Sequence, residues 1–353
     1  MIATRMRTLV GALVWGSILA LGSASAEAGF TNLGPAGDFN LFLFGNNTQY
    51  NSDVEGRLAV GGNIDFTTKG TSFTVGSKSS TNTTNLIVGG NFKNQYNTLT
   101  GGMLVNGNVD WNGPTISGVV NVNGNANFHN GGGSIGGKVN VVGTYTAPNY
   151  FPPNAATPAV TPLPFSFSDV QAYLQSESAY LASLTPNGTT KISFQQVQLT
   201  ASGPSNALYV FNVLGSDLTA AAGHGLSITA PAGSTVVVNV NGTTNNFNSM
   251  GITLNGVDRQ HVLYNFNQST SLYIDSISIE GSILAPYSSV NFNNGQLNGT
   301  LIANNLTGGG ESHLHLFQGT LPNPVPEPST LVLGACGAAL AGAAMWRRRR
   351  SNN

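Results

Sequence analysis

Hydrophobic and polar residues alternate in short strings along most of the chain. Examples are GVVNV at residues 118–122 and SISIE at residues 276–280. Alternation with a period of two predicts β-strands that bury one side and expose the other. The pattern is interrupted once, near the middle of the chain, and resumes from Lys191 to Leu321. The sequence therefore predicts a mainly β body.

A V-x-G-N repeat punctuates these strings. Its copies lie at residues 60–63, 88–91, 105–108 and 122–125, with a degenerate fifth copy, VVGT, at residues 141–144. Successive copies begin 28, 17, 17 and 19 residues apart, and SILA at 282–285 returns as TLIA at 300–303, 18 residues further on. A repeat of about 18 residues with short strands is typical of a β-solenoid (β-helix).

Stacking explains how such short coils can be stable. A lone coil cannot bury its own apolar side, whereas stacked coils share hydrogen bonds and cover one another. We expect glycine to supply positive φ at the corners and asparagine to bond to neighbouring backbone there. A β-sandwich with regular hairpins is the rival architecture. The sequence leaves open whether the β segments form one solenoid or two, and we favour one.

The interruption contains a proline-rich strap and a helix. Residues 146–164 include six prolines and predict an extended surface segment. Residues 167–185 predict an amphipathic helix packed on the flank of the solenoid, with Ser168 as N-cap and Gln171 completing a capping box. Its expected apolar stripe, which Glu177 interrupts, consists of Val170, Tyr173, Leu174, Leu181 and Leu184.

The N-terminus predicts a secretory signal peptide over residues 1–28. Arg5 and Arg7 precede an apolar run from residue 9 to 22, and small residues follow at 23–26. Cleavage after Ala26 and cleavage after Ala28 both fit the small-x-small pattern. The solenoid body, residues 29–323, is therefore expected to be exported.

The C-terminal segment, residues 324–353, predicts a sorting and anchoring tail. Its prolines hold the chain extended, an uncharged stretch over residues 330–346 is just long enough to cross a membrane, and four arginines act as a stop-transfer signal on the cytoplasmic side. The expected processing motif consists of Val325, Pro326, Glu327, Pro328 and Ser329. The stop-transfer residues are Arg347, Arg348, Arg349 and Arg350.

This order of elements resembles the PEP-CTERM sorting signal of bacteria. The resemblance implies an exosortase-type processing enzyme as a partner. It also implies a route in which the protein is tethered transiently to the inner membrane, facing the periplasm, and then reaches the cell surface or the extracellular matrix. An ordinary C-terminal membrane anchor is the alternative, but it leaves the PEP tripeptide unexplained.

Composition narrows the class of the body. Charged residues make up 8% of the chain, against roughly 25% in a typical globular protein. Six of the 13 basic residues lie in the two terminal segments, so the body is acidic overall and nucleic acid is excluded as a partner. The only cysteine, Cys336, lies in the tail, so no disulfide is expected in the body. No cofactor motif is present.

The body resembles the choice-of-anchor A domain. The resemblance rests on FNLFLF at residues 39–44, SDVEGRLAVGGN at 52–63, GSILAP at 281–286, NGTLIA at 298–303 and GESH at 310–313. It covers roughly residues 30–321. It implies an adhesive β-helical module of bacterial surface proteins and implies no enzymatic activity.

Two clusters are candidates for chemistry. Asp53, Glu55 and Arg57 would share one side of a strand, either as a polar cluster that fixes the first coil or as a catalytic carboxylate pair. Glu311, His313 and His315 alternate in the same way and could hold a divalent metal such as zinc with one open position. The alternative for the histidines is a polar strand surface without metal.

The sequence favours a non-enzymatic exported surface or exopolysaccharide-matrix protein, an adhesin of biofilm type that touches polysaccharide or a neighbouring cell. The alternative is a β-helix hydrolase or lyase that degrades polysaccharide in the envelope or matrix. Ice binding ranks third because no regular Thr-x-Thr ladder is present. Candidate stacking aromatics for sugar contact are Tyr50, Phe66, Phe92, Tyr96, Trp111 and Phe128.

Overall fold

The computed structural model of the protein describes residues 30–67 and 72–322. The predicted signal peptide and sorting tail lie outside these residues. Within them, no helix is long and apolar enough to cross a membrane.

The N-terminal half of the described chain is built of short strands, usually three to a coil. After a 3₁₀ turn at Gly34–Asp38 they are β1 (Leu41–Leu43), β2 (Asn47–Gln49), β3 (Ser52–Val54), β4 (Leu58–Val60), β5 (Ile64–Asp65), β6 (Phe73–Val75), β7 (Thr84–Val88), β8 (Phe92–Gln95), β9 (Thr98–Leu99), β10 (Gly102–Val105), β11 (Val109–Asn112), β12 (Thr115–Ile116), β13 (Val120–Val122), β14 (Ala126–His129), β15 (Ser134–Ile135), β16 (Val139–Val141) and β17 (Tyr145–Thr146).

The C-terminal half follows helix α1 (Phe167–Ser183). It consists of β18 (Thr189–Ser193), β19 (Gln196–Thr200), β20 (Leu208–Leu214), the short helix α2 (Gly215–Ala220), β21 (Leu226–Thr229), β22 (Thr235–Asn241), β23 (Thr244–Asn248), β24 (Ile252–Asn255), a 3₁₀ turn at Arg259–His261, β25 (Val262–Asn265), β26 (Ser271–Asp275), β27 (Ile277–Glu280), β28 (Ser282–Phe292), β29 (Gly295–Asn298), β30 (Leu301–Gly308) and β31 (Glu311–His313).

The strands stack in parallel into three faces. The first face contains β1, β4, β7, β10, β13, β16, β20, β22, β25 and the first halves of β28 and β30. The second face contains β2, β5, β8, β11, β14, β17, β23, β26 and the second halves of β28 and β30. The third face contains β3, β6, β9, β12, β15, β27, β29 and β31.

These pairings establish a parallel β-solenoid and exclude the β-sandwich. The exception to parallel pairing among the named strands is the hairpin of β18 and β19. These two strands, β21 and β24 form a separate four-stranded sheet. The short helix α2 and this hairpin were not predicted.

The two β segments form one stack, as we favoured. Strand β30 pairs with β1, so that Leu41 lies opposite Leu301, and β31 pairs with β3, so that Val54 lies opposite Ser312. We call this junction the seam. The described part of the chain therefore enters the stack in its interior with β1. It winds to one end, returns through the strap and α1, and winds back to the seam from the other end.

Inward side chains fill the solenoid with columns of aliphatic and aromatic residues. Trp111 and Phe92 are buried and meet edge to face at 5.2 Å between ring centroids. Phe66 and Phe128 are buried as well. Four of the six aromatics expected to stack on sugars are therefore core residues.

The V-x-G-N repeat forms a corner ladder between the first and second faces. In each copy the asparagine Oδ1 accepts a hydrogen bond of 2.8 Å from a backbone N–H of the next coil. The ladder runs through Asn305, Asn46, Asn63, Asn91, Asn108 and Asn125 and ends on the backbone N–H of Thr144.

The glycines of these corners serve a different purpose from the one expected. Gly62, Gly90, Gly107 and Gly124 have no positive φ. A Cβ at Gly107 would lie 2.7 Å from Oδ1 of Asn91 and 2.5 Å from the carbonyl oxygen of Gly90. The prediction that positive φ explains these glycines was wrong, because they make room for the neighbouring coil.

Helix α1 and the strap cover the first face. Buried residues of the helix include Val170, Leu174 and Leu181 of the predicted stripe. Its N-cap is Ser166, whose Oγ accepts a hydrogen bond from Asp169 N at 3.3 Å. The predicted cap at Ser168 was therefore wrong by two residues.

Side-chain hydrogen bonds attach these segments to outward asparagines of the first face. In the strap, Thr161 exchanges hydrogen bonds with the Asn123 side chain, and Ala159 does the same with Asn140. Below the helix, Asn265 donates to the Ser178 carbonyl at 2.8 Å and Asn239 donates to the Leu181 carbonyl at 2.9 Å. The strap and α1 therefore cover the first face, whereas the second and third faces carry exposed rows of side chains.

Candidate functional site

The seam brings acidic members of both predicted clusters together at the third face. Asp53 lies on β3 and Glu311 on β31, one position before the Val54–Ser312 pair. Glu55 follows β3, and its carboxylate accepts a hydrogen bond from Leu314 N at 2.8 Å and pairs with Lys78 Nζ at 2.6 Å. Two clusters 256 residues apart in sequence thus form one polar surface.

Arg57 does not belong to this surface, contrary to prediction. Strand β3 ends at Val54, so the chain has turned a corner before it reaches Arg57. The guanidinium lies 4.2 Å from the centroid of the Phe39 ring, and its Nε donates to the Thr84 carbonyl at 3.2 Å. Its role is to hold the outer side of the first coil.

The local charges shift the two acids in opposite directions. Burial raises the pKa of Asp53, and repulsion from Glu311 and Glu55 raises it further. Burial alone would also raise the pKa of Glu55, but the hydrogen bonds from Lys78 and Leu314 lower it overall. Glu55 is therefore a structural carboxylate that closes the seam, whereas Asp53 is a half-buried acid surrounded by like charges.

The predicted metal ligands are not gathered into one set. His313 Nε2 lies 3.5 Å from Glu311 Oε2, and its Nδ1 lies 3.1 Å from Asn298 Oδ1. Strand β31 ends at His313, so His315 does not continue the alternation. No group of three histidine, cysteine or acidic side chains among the described residues is placed to hold a metal ion. Zinc binding stays a prediction without support from this geometry.

An open groove lies on the second face where β8, β11 and β14 run side by side. It has a volume of about 390 Å³ and is lined mainly by polar side chains. Gln95, Asn112 and His129 occupy successive rungs of one row. In the neighbouring row Lys93 lies opposite Asp110, whose Oδ1 is 2.6 Å from His129 Nε2.

Two exposed tyrosines are hydrogen-bonded to residues of this groove or next to it, although neither tyrosine belongs to its lining. Tyr96 is 58% exposed and Tyr150 is 55% exposed. The Tyr96 hydroxyl accepts a hydrogen bond from the Asn112 side chain at 2.9 Å, and the Tyr150 hydroxyl donates to Asn130 Oδ1 at 2.9 Å. Of the predicted stacking aromatics, Tyr96 is strongly exposed, and Tyr50 is partly exposed beside another shallow groove. Tyr150 was missed because it lies in the proline-rich strap.

A row of hydroxyl groups crosses the third face next to Asp53. Thr74, Thr98, Thr115 and Ser134 lie on successive rungs of β6, β9, β12 and β15. Sequence reasoning missed this row because each strand contributes one hydroxyl, at spacings of 24, 17 and 19 residues. A search at the solenoid period, rather than within one strand, would have found it.

The fold and these open polar faces define a repeat-built parallel β-solenoid domain. The chain belongs to the family described as "Putative Ice-binding-like adhesive domain", whose model matches residues 32–314. Residues 324–350 match the PEP-CTERM protein-sorting motif, which implies export and processing by an exosortase. Both resemblances inferred from the sequence, the adhesive domain and the sorting motif, are confirmed.

The chain is also similar to an ice-binding protein from an Antarctic bacterium of the Flavobacteriaceae, known from a crystal structure. The two share 13% sequence identity with a TM-score of 0.27, over 80% of this chain and 97% of that chain. No curated protein matches this chain.

Proposed function

We propose that this protein is a non-enzymatic adhesin of the cell surface or exopolysaccharide matrix. The observation that carries the proposal is the contrast between the faces. The strap and α1 cover the first face, whereas the second face exposes polar residues in register, most of them uncharged. In its C-terminal half the exposed row contains Asn246, Tyr273, Asn291 and Thr307. Many weak contacts along such a surface give strong attachment through avidity.

The arrangement of the acids favours adhesion over the alternative, a polysaccharide hydrolase or lyase. Glycoside hydrolysis needs two carboxylates on opposite sides of the bond that breaks. Asp53 and Glu311 project from neighbouring strands of one face, and Glu55 is occupied by Lys78 and Leu314. A glycan lying on this face would meet both acids from the same side.

The two ends complete the proposed route. A signal peptide over residues 1–28 would direct export, and the tail would tether the protein to the inner membrane with its arginines in the cytoplasm. Cleavage near Pro326-Glu327-Pro328 would then transfer the body to the cell surface or matrix. The family description supports the adhesive role, and the match to the sorting motif supports the route.

Ice is a second candidate ligand, favoured by the family description and by the hydroxyl row. We rank it below polysaccharide because the row is four side chains long and borders the charged residues Asp53 and Glu311. Charged groups bind liquid water strongly and interrupt a flat hydroxyl lattice.

Fractionation of the producing cells tests the sorting part of the proposal. Replacing Glu327 and Pro328 by alanine should keep the full chain in the inner membrane and deplete it from the surface and matrix. Pro324→Ala, just outside the predicted processing motif, serves as the matched control and should leave sorting intact. Normal delivery of the Glu327 and Pro328 variant to the matrix would refute exosortase-type processing at this site.

Sedimentation of the exported protein with the matrix polysaccharide of the same cells tests adhesion. We expect the protein to sediment with the polymer, to release no reducing ends, and to leave ice recrystallisation unchanged. Release of reducing ends that Asp53→Asn abolishes would establish the enzyme instead. Inhibition of ice recrystallisation that Thr98→Lys removes would establish ice as the ligand.

A further inference from the structure

The groove on the second face carries charges of both signs close together. Lys93 lies in register between Asp65 and Asp110, and the Asp110 carboxylate also pairs with His129. Each ionisable side chain of this row therefore faces an opposite charge or a hydrogen-bonding partner. An anionic polymer would meet Asp65 and Asp110 on either side of Lys93, so the electrostatics favour a ligand without negative charge.

Tyr96 is held in place beside this groove at a conformational cost. Its φ is +51°, a left-handed conformation that bulky residues rarely adopt. The ring crosses the glycines of the next two coils, where a Cβ at Gly113 or Gly131 would come within 3.1 or 2.9 Å of ring carbons. Strain of this kind persists where the surroundings impose it, often at binding sites.

Tyr150 is fixed in a similar way from the strap. Its hydroxyl bonds to Asn130, the residue after His129, and its ring meets the buried Phe151 at 4.6 Å between centroids. Both tyrosines are thus anchored through their hydroxyls, while more than half of each side chain stays open. Pre-ordered rings lose little entropy when a ligand binds.

We propose that this groove, with Tyr96 and Tyr150, binds a neutral polysaccharide chain that lies along the solenoid axis. The C–H sides of sugar rings would pack on the tyrosines. Sugar hydroxyls would bond to the row of Gln95, Asn112 and His129, whose rungs repeat at about 4.8 Å. The inference rests on the proposed function and adds to it the ligand class and the site.

Affinity electrophoresis of the exported protein tests the site with two defined probes, neutral hydroxyethylcellulose and anionic alginate. We expect retardation in the hydroxyethylcellulose gel and none in the alginate gel. Replacing Tyr96 and Tyr150 by alanine should weaken the apparent affinity roughly tenfold. The matched control is Tyr287→Ala, since Tyr287 is 42% exposed and lies on β28, away from the groove.

The variant Tyr96→Phe with Tyr150→Phe keeps the rings and should retain most of the binding, which separates ring contact from a loss of folding. Thermal melting of each variant provides the folding control. Equal retardation of the alanine variant and the wild type, preference for alginate, or no retardation in hydroxyethylcellulose would each overturn the site. Sedimentation of the wild type with matrix polysaccharide in the same preparation tests the adhesive function separately. If the protein still sediments, only the proposed site is wrong.

Discussion

A single asparagine in each coil determines how the next coil sits at the corner. Its Oδ1 accepts a hydrogen bond from the backbone N–H of the asparagine that follows the corner glycine in the next coil. Glycine is required beside it because any Cβ would collide with the preceding asparagine and its backbone. Two residues of the repeat therefore act together: asparagine accepts the hydrogen bond from the next coil, and glycine leaves room for the neighbouring backbone.

Asn108→Ala should lower the free energy of unfolding by about 1 kcal/mol, because Asn125 N loses its acceptor. Asn106→Ala is the matched control. The Asn106 side chain accepts from the exposed side chain of Asn123 at 3.1 Å, and its loss should change stability by less than half as much. Urea unfolding of both variants measures the difference, and equal shifts would show that the ladder adds no stability.

The V-x-G-N corners show how much of the local structure could be predicted from the repeat in the sequence. The pattern predicted the corner and the asparagine bond, because asparagine has few other uses at such a spacing. The pattern did not explain the glycines at these corners correctly, because the atoms that a Cβ would strike belong to the neighbouring coil. Positive-φ glycines do occur at other turns, such as Gly76, Gly101 and Gly113.

At the scale of elements, α1 is a lid that buries one acid against the first face. Glu177 is fully buried, and neither carboxylate oxygen accepts a hydrogen bond from a described residue. Burial raises the pKa of Glu177 to about 7. Burial also raises the pKa of Tyr173, and repulsion from the Glu177 carboxylate raises it further. Sequence reasoning took Glu177 as a break in the apolar stripe, whereas it lies within the buried side.

Glu177 should make the protein less stable as pH rises. The carboxyl binds its proton more tightly in the folded state than in the unfolded chain, where its pKa is 4.5. The stabilising contribution is therefore complete below pH 4.5 and is lost as pH rises through about 7, by on the order of 3 kcal/mol. Glu177→Gln should flatten this dependence and be more stable than the wild type at pH 8.

Urea unfolding at pH 4, 6 and 8 checks this expectation, with Asp169→Asn as an exposed acidic control on the same helix. If the difference in unfolding free energy between the wild type and Glu177→Gln is the same at pH 8 as at pH 4, the folded protein accommodates the ionised Glu177 carboxylate and the expectation is wrong. The predicted start of the helix at residue 167 agrees with the structure, whereas the N-cap at Ser168 was mispredicted for a tertiary reason. Phe165 and Phe167 pack on Phe42 at 5.3 Å between centroids, which places the cap at Ser166.

At the scale of the whole molecule, the seam is the feature that local patterns could not reveal. Alternation predicts strands and their inward sides, but it carries no information on which coil meets which across 260 residues. Buried side chains complete the junction. Asn40 donates to the Gly299 and His313 carbonyls at 3.1 and 2.8 Å, and Gln49 donates to the Gly310 carbonyl at 3.1 Å.

The seam should make the two halves unfold together. Leu301 is fully buried opposite Leu41, and Leu301→Ala should cost about 2 to 5 kcal/mol by leaving a cavity. Trp111, the only tryptophan between residues 30 and 322, lies in the other half. Its fluorescence transition in urea should therefore shift with a mutation made in the C-terminal half.

The control is Leu214→Ala, since Leu214 lies in the C-terminal half but is 55% exposed, and it should leave the Trp111 transition in place. Coils that share only nearest-neighbour contacts can unfold separately when one interface is weakened. A Trp111 transition that stays unchanged in Leu301→Ala, while circular dichroism shows an earlier loss of β structure, would mean that the halves are independent. A joint shift would mean that the seam turns two solenoid segments into one cooperative body, rigid enough to present its exposed faces as a single surface.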